Sequence, residues 1–168
     1  MRVGLGELDA RCLIFRRPNP GRICRLRWPP CVTRTTAELA FYIDTSALVK
    51  LVVAEPESDA LRAWFADSER DPVACDLART ELLRAVRRAA PDRLVQARAV
   101  LDAVTLLEVT TQIFEAAGRV DPLVLRSLDA VHIAAALDLG DDLDGLVTYD
   151  LRLADGATAN GIFVVSPA

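Results

Sequence analysis

Apolar and polar positions alternate along the chain with two different periods, which predicts strands separated by helices. Five short apolar runs have the length of strands: AFYI, PVAC, TLLEVT, GLVTYD and IFVVSP, at residues 40–43, 72–75, 105–110, 145–150 and 162–167. Between these runs, apolar residues recur every three or four positions, as they do on one face of a helix. Strands that alternate with helical crossovers imply a parallel sheet covered on both faces, so we expect an α/β fold.

The helical segments begin at residues that favour helix starts. Predicted helices cover residues 46–55, 56–69, 76–90, 91–104, 111–120 and 125–140, and residues 151–161 form a helix or a turn. Thr45 or Ser46 can cap the first helix. Pro56 and Pro91 begin two others, because proline suits the first helical position.

The first 39 residues follow neither period and mix arginine, proline and glycine. Residues 1–40 carry eight arginines against three acidic residues, a net charge of +5, whereas the remaining 128 residues carry a net charge of −9. We expect residues 1–39 to form a poorly ordered extension and residues 40–168 to form one domain. An arginine-rich tail that binds nucleic acid is the alternative interpretation.

The composition indicates a globular protein of the cytoplasm. Apolar residues make up 52% of the chain, yet no uninterrupted apolar run reaches the roughly 18 residues that a membrane span needs. The single histidine and four cysteines, without a CxxC pair, argue against a zinc site. The acidic body argues against nucleic-acid binding by bulk attraction and suits clustered carboxylates that need divalent cations.

Four carboxylates are placed where they can meet at one edge of the sheet. Asp44 follows the run AFYI and Asp150 follows LVTY, so both should emerge at the carboxyl ends of parallel strands. Glu81 lies about one turn into the helix after PVAC, and Asp129 lies in the first half of an alanine-rich helix. Such like charges raise each other's pKa unless a counter-ion is present. One or two Mg²⁺ or Mn²⁺ ions would relieve the repulsion.

Four sequence blocks resemble the motifs of PIN-domain ribonucleases. They are YIDTSALVKL, TELLRA, RSLDAVHIAAAL and VTYDLRL followed by VVSP, in family order between about Phe41 and Pro167. Within that superfamily the blocks are most similar to the VapC toxins of bacterial VapBC toxin–antitoxin pairs. The resemblance implies a three-layer α/β/α PIN-like fold with a central parallel sheet, and metal-dependent endonucleolytic cleavage of RNA.

The resemblance also implies the roles of particular residues. The catalytic and metal-binding acids would be Asp44, Glu81, Asp129 and Asp150, with Mg²⁺ or Mn²⁺ as the cofactor. Ser46 matches the small hydroxyl residue that helps to hold the first aspartate. Thr148 matches the threonine two residues before the last acid.

Implied partners are RNA, a VapB-type antitoxin that reaches into the acidic site, and a second copy of the chain. The helix faces around residues 48–53 and 61–65 are the expected dimer surfaces. Because the predicted domain is acidic, RNA must be bound by individual positively charged side chains close to the site. The candidate RNA-binding residues are Arg84, Arg87, Arg88 and Arg126.

Other interpretations of the same residues stay open at this point. Asp44 and Asp150 also suit plain helix caps, and His132 is expected to be a packed or surface residue rather than a ligand. A haloacid-dehalogenase-like phosphatase places an aspartate after its first strand, but needs a second acid where this chain has Ser46. A catalytically silent PIN-like domain that only binds a partner is the other alternative.

Overall fold

A computed structural model describes residues 39–66 and 70–168, which form a five-stranded sheet between two layers of helices. The strands are β1 (Leu39–Ile43), β2 (Arg70–Cys75), β3 (Thr105–Leu107), β4 (Leu143–Val147) and β5 (Val164–Val165). Their order is β3-β2-β1-β4-β5, and every adjacent pair is parallel. The predicted α/β class with a central parallel sheet is confirmed.

The helices lie in chain order between the strands. They are α1 (Thr45–Val52), α2 (Ser58–Phe65), α3 (Leu77–Ala89), α4 (Leu94–Ala103), α5 (Thr111–Ala117), α6 (Ser127–Leu137) and α7 (Leu151–Ala159). Single 3-10 turns occupy Pro91–Arg93 and Gly140–Asp142. Residues 151–161, for which the pattern allowed a helix or a turn, contain helix α7.

Two predicted helices begin later than the prolines that were expected to start them. Pro56 belongs to a turn before α2, because the Ser58 hydroxyl accepts a hydrogen bond from the Glu55 N–H and donates one to the Lys50 carbonyl. Pro91 opens a 3-10 turn, and α4 follows it. A helix-compatible proline therefore marks both places, although regular α-helix starts two or three residues further on.

Both faces of the sheet are buried, as expected for parallel strands with helical crossovers. Successive residues of β1 point to opposite faces. Phe41 and Ile43 join the core formed with α1, α2, α3 and α4. Tyr42 joins the second core, formed with α5, α6 and α7. The sheet thus separates two hydrophobic cores in a three-layer α/β/α arrangement.

The strand order places the ends of β1 and β4 side by side. The chain proceeds outward from β1 through β2 to β3 and then returns to the other side of β1 as β4. Ile43 is in register with Val147, and the Asp44 N–H donates to the Val147 carbonyl at 3.0 Å. Such a reversal of strand order is where ligands bind in open α/β sheets.

Helix α7 packs closely on α6 at a glycine. A Cβ atom at Gly156 would lie 2.6 Å from Leu125 Cδ2 and 2.9 Å from Ile133 Cδ1. A larger residue would force the ends of the Leu125 and Ile133 side chains to move, because these contacts are far shorter than van der Waals distances. The small size of Gly156 therefore allows close packing between the helix that carries Asp129 and the helix that Asp150 caps.

The dimer surfaces expected on α1 and α2 stay a prediction, because only part of each face is buried within the domain. Leu48 and Leu61 are fully buried, and Val52 and Phe65 belong to the same core. These buried residues mark the sides of α1 and α2 that pack against the sheet and against α3 and α4, whereas Val49, Leu51 and Trp64 are only partly buried.

Two sequence predictions concern the extent of the domain. Of the predicted extension, residues 1–38 lie outside the described residues, whereas Leu39 begins β1. The division at residue 39 therefore stays a prediction. Within residues 39–66 and 70–168, no helix combines the length and the apolar character that crossing a membrane requires.

Candidate active site at the carboxyl edge of the sheet

Asp44 lies directly after β1 and is held on one carboxylate oxygen. Its side chain is 6% exposed, and Oδ2 accepts hydrogen bonds from the Ser46 N–H at 3.0 Å and the Thr148 hydroxyl at 3.1 Å. Asp44 is thus the N-cap of α1, as expected if it is a plain helix cap. It is also fixed at the strand end, so the cap and the candidate site are one feature.

Two hydroxyl groups connect the ends of β1 and β4. The Thr148 hydroxyl donates to Asp44, so its contact of 3.2 Å with Ser46 Oγ makes Ser46 the donor there. Ser46 Oγ in turn accepts from the Tyr149 N–H at 2.9 Å. Thr148 Oγ1 also accepts from the Asp150 N–H at 3.0 Å. Ser46 and Thr148 therefore both lie beside the first aspartate, the place that the family resemblance implies for Ser46.

Asp150 follows β4 and caps the last helix. Its Oδ1 accepts from the N–H groups of Arg152 at 2.8 Å and Leu153 at 3.3 Å. Backbone amides at the start of α7 hold this oxygen, as they do at any good N-cap. The orientation of the second strand-end carboxylate is thus set by its own helix.

Asp129 lies in the first turn of α6 and lacks a comparable anchor. Its Oδ2 is buried without a hydrogen-bond partner among the described residues. Burial and the negative charge of Asp150 raise the pKa of the Asp129 carboxyl group, and the Arg152 charge, the Arg126 backbone N–H and the Arg126 charge only partly oppose that rise. The surroundings of Asp129 therefore disfavour its ionised form.

Glu81 is held by two side chains from other elements. Its Oε2 accepts from the Thr45 hydroxyl at 2.5 Å and lies 2.9 Å from Nε2 of His132. Burial alone would raise the pKa of Glu81, but the hydrogen bonds from His132 and Thr45 lower it below its ordinary value. Glu81 is therefore an ionised carboxylate with a defined orientation.

His132 is buried between Glu81 and a second polar cluster. The residue is 3% exposed, and its Nδ1 lies 2.8 Å from the Tyr42 hydroxyl and 3.6 Å from Cys75 Sγ. Burial lowers the pKa of the imidazole, but hydrogen bonds to Cys75 and Glu81 outweigh burial and raise it to about 10. His132 is therefore packed, as expected, and it also contacts a candidate acid, which the sequence analysis missed.

One signal in the sequence pointed to this contact. His132 is the only histidine and lies three residues after Asp129. That spacing puts the two side chains on one face of α6. The identity of the partner, Glu81, depends on tertiary packing across 51 positions of the chain.

The four acids lie in two hydrogen-bonded groups at one edge of the sheet. Thr148 joins the Asp44 side chain to the Asp150 N–H, while Glu81 is bonded to Thr45, the residue after Asp44, and to His132, one turn after Asp129. Within the part of the chain that the structure describes, no three acidic, histidine or cysteine side chains are close enough together to hold a metal ion. The fold therefore brings the four acids to one edge without gathering them around one point.

The donor set nevertheless suits a hard divalent cation. An unpartnered, buried carboxylate oxygen on Asp129, next to the charge of Asp150, is stabilised by an added cation. Mg²⁺ in particular is usually bound by one or two carboxylates, with water and substrate phosphates as its other ligands. Asp129 and Asp150 meet that requirement without a complete protein cage.

The four candidate RNA-binding arginines lie near these acids along the chain. Arg84, Arg87 and Arg88 are exposed on α3. Arg84 and Arg88 follow Glu81 by three and seven residues, so they share its side of the helix, whereas Arg87 points elsewhere. Arg126 is exposed at the N-cap of α6, three residues before Asp129.

Comparison with known proteins identifies the family. The model of the PIN domain matches residues 41–158. The chain is also 43% identical over 130 residues to Ribonuclease VapC46 of Mycobacterium tuberculosis, an alignment that covers 77% of this chain and 98% of that protein. The chain therefore belongs to the PIN domain family, as its four sequence blocks indicated.

Solved structures show the same fold. The crystal structure of Mycobacterium tuberculosis VapC20, a sarcin-ricin loop cleaving toxin, matches with a TM-score of 0.62 at 19% identity and covers 76% of this chain and 99% of that one. A toxin–antitoxin complex from Klebsiella pneumoniae matches with a TM-score of 0.57 at 19% identity, over 76% of this chain and 97% of that one. The predicted PIN-like architecture is thus confirmed.

Proposed function

We propose that this chain is an endoribonuclease that hydrolyses RNA phosphodiester bonds, and that it is the toxin of a VapBC-type pair. The observation that carries the proposal is the presence of four acids at the switch point of the sheet, in a member of the PIN domain family. The 43% identity to a protein named Ribonuclease VapC46 supports the substrate class.

The cofactor we propose is Mg²⁺ or Mn²⁺. Asp129 and Asp150 would hold it, with Asp44 and Glu81 completing the acidic site. A bound cation of this kind stabilises the charge that develops on the phosphodiester during hydrolysis. The unpartnered Asp129 oxygen is the feature of this chain that most favours a cation.

The protein itself holds the acids in place for that chemistry. Ser46 and Thr148 fix Asp44 through one oxygen, which leaves Oδ1 available to the site. The first N–H groups of α7 occupy one oxygen of Asp150 in the same way. Each strand-end acid can thus offer one oxygen in a fixed direction, and fixed charges cost little reorganisation during the reaction.

RNA binding has to overcome an acidic body, so we assign it to local arginines. Arg84 and Arg88 continue the side of α3 that carries Glu81, and Arg126 lies one turn before Asp129. Arginines placed in this way suit phosphates on either side of a cleaved bond, while contributing no base specificity. Arg87 belongs to the same exposed segment.

A VapB-type antitoxin is the protein partner we propose, besides a second copy of the chain. Exposed apolar side chains flank the acids: Leu128 is 50% exposed and precedes Asp129, and Leu151 is 81% exposed and follows Asp150. Exposed apolar groups beside an acidic site suit a partner segment with apolar residues and a basic side chain.

The test compares the purified protein with Asp44→Asn on total cellular RNA, in Mg²⁺, in Mn²⁺ and in EDTA. Asparagine is as good an N-cap as aspartate, so the fold should be retained while the charge is lost. We expect discrete RNA fragments that require a divalent cation and disappear with the variant. No cleavage by the wild-type protein, after any co-purified antitoxin is removed, would instead favour a PIN-like domain that only binds a partner.

A further inference from the structure

We propose that His132 is a positioning residue that orients the Glu81 carboxylate for its role in binding the divalent cation. The inference rests on the proposed function, since it concerns how the acidic site is held for metal and RNA. It assigns no contact between His132 and the substrate or the metal. The contact that carries it is Nε2 of His132 to Oε2 of Glu81 at 2.9 Å.

The His132 ring is fixed from both sides. Its Nδ1 meets the Tyr42 hydroxyl at 2.8 Å, while Nε2 meets Glu81. Tyr42 and Cys75 are fully buried, and the Tyr42 ring packs edge-on against the imidazole with 6.0 Å between ring centroids. Turning the ring would break both contacts in a buried environment, which is costly. The imidazole therefore holds one orientation.

That orientation determines which Glu81 oxygen is available. His132 and the Thr45 hydroxyl both contact Oε2. Oε1 makes no hydrogen bond within the described residues, and the side chain is 28% exposed. A glutamate without these contacts would lose rotamer freedom only on binding a ligand, which lowers affinity. With them, Glu81 presents Oε1 before the ligand arrives.

His132 also connects the two helices that carry acids. It lies on α6, one turn after Asp129, and its contact reaches Glu81 on α3. The structure shows no other hydrogen bond between these two helices in the described residues. One side chain thus relates the position of Asp129 to that of Glu81.

The experiment measures Mn²⁺ affinity by titration calorimetry and Mn²⁺-dependent RNA cleavage, each below the melting temperature of every variant. His132→Leu keeps the approximate volume but removes both contacts, and should weaken Mn²⁺ binding by about 10- to 100-fold. His132→Gln keeps an N–H donor near the position of Nε2 and should recover most of that loss. Val100→Ala, in the buried face of α4, is the control that loses stability without touching the site.

A double-mutant cycle separates positioning from packing. If His132 acts through Glu81, adding His132→Leu to Glu81→Gln should change Mn²⁺ affinity by less than about twofold. Tyr42→Phe removes the Tyr42 hydroxyl from Nδ1 and leaves Cys75 Sγ, so it should weaken Mn²⁺ binding too, but by less than His132→Leu. If His132→Leu does not fold, His132→Gln and Tyr42→Phe carry the test.

Three results would overturn the inference. One is wild-type Mn²⁺ affinity and cleavage in folded His132→Leu. Another is full additivity of the two substitutions in the cycle with Glu81→Gln. The third is Mn²⁺ affinity that is weaker in His132→Gln or in Tyr42→Phe than in His132→Leu. A wild-type protein that neither binds Mn²⁺ nor cleaves RNA would remove the proposed function and this inference together. Wild-type activity with an unimpaired His132→Leu would remove the inference alone.

Discussion

The acidic site is built from two pairs of carboxylates that the fold holds in different ways. The strand-end pair, Asp44 and Asp150, caps α1 and α7, and each residue accepts backbone N–H groups two or three positions away. The helix-borne pair, Glu81 and Asp129, projects from α3 and α6. Side chains distant in sequence hold Glu81, and one oxygen of Asp129 is held by nothing in the described residues.

The two pairs differ in whether they are complete without a ligand. The strand-end pair contributes to the stability of the fold itself, because capping satisfies backbone donors. In the helix-borne pair the pKa of Glu81 is lowered and that of Asp129 is raised, so the environment favours one charge and opposes the other. Asp129 is thus the acid whose charge most requires a cation.

The largest effect is expected from Asp129→Asn. Cleavage should fall by two orders of magnitude or more, on the scale of losing a key electrostatic group, while the metal-free protein should melt at the same temperature or higher, because a charge that the fold opposes is removed. RNA cleavage assays and thermal unfolding in EDTA check both parts.

Asp138→Asn, an exposed acid at the other end of α6, is the control and should change neither property. A metal-free Asp129→Asn protein that melts several degrees lower would contradict the view that this charge is unfavourable. It would make the helix-borne pair as structural as the strand-end pair.

The strand-end pair is disrupted most directly by Thr148→Val. The change keeps the shape of a fully buried residue but removes a donor to Asp44 and an acceptor for the Asp150 N–H. We expect a loss of about 1–3 kcal/mol in the free energy of unfolding, the cost of unsatisfied buried groups, and a loss of cleavage of about tenfold. Urea unfolding and initial cleavage rates are the measurements.

Thr158→Val, on the exposed side of α7, removes a hydroxyl from the same helix without reaching the site. It should leave the cleavage rate unchanged. Equal effects of the two substitutions on cleavage would show that the hydrogen bonds of the Thr148 hydroxyl do not organise the strand-end pair.

The smallest effect is one on stability alone, from pH acting on the contact between Glu81 and His132. The pKa of His132 is raised from 6.5 to about 10. The contribution of its charged form to the free energy of unfolding is therefore complete below pH 6.5 and is lost as pH rises toward 10. The pKa of Glu81 is lowered from 4.5, so its contribution is present above pH 4.5 and is lost as pH falls below it.

The difference in unfolding free energy between the wild-type protein and His132→Leu should therefore be greatest near pH 5 to 6.5 and should shrink by pH 9. Urea unfolding of both proteins in EDTA at pH 5.5, 7.5 and 9 measures it. A difference that is constant over this range would mean that the contact carries no net charge interaction.

Local signals in the sequence were enough to locate the strand-end pair. A buried apolar run followed by an aspartate, followed by a helix, describes both Asp44 and Asp150, and the parallel topology places such residues at one edge. The capping interpretation and the site interpretation agreed for the same reason, since the end of a strand is also the start of the next helix.

The helix-borne pair was not accessible in the same way. Glu81 taken alone is an ordinary helix residue. Its position about one turn after PVAC put it within reach of the edge, and the family resemblance of the TELLRA block singled it out. Its contact with His132 depends on how α3 and α6 pack, which no short-range pattern encodes. On α1 and α2, apolar spacing shows that a face is covered, but not whether the cover is the same chain or another, and Leu48 and Leu61 are covered by the same chain.

The position of β4 in the sheet has a consequence for how the protein is made. Asp44 is synthesised about a hundred residues before Thr148 and Asp150, and β4 pairs with the central strand only when it arrives. Since a chain emerges from the ribosome from its N-terminus onward, Asp44 stays without its hydroxyl donor until the last strands are translated. A chain released before residue 148 therefore lacks both Thr148 and Asp150, and a truncated product has no complete acidic site.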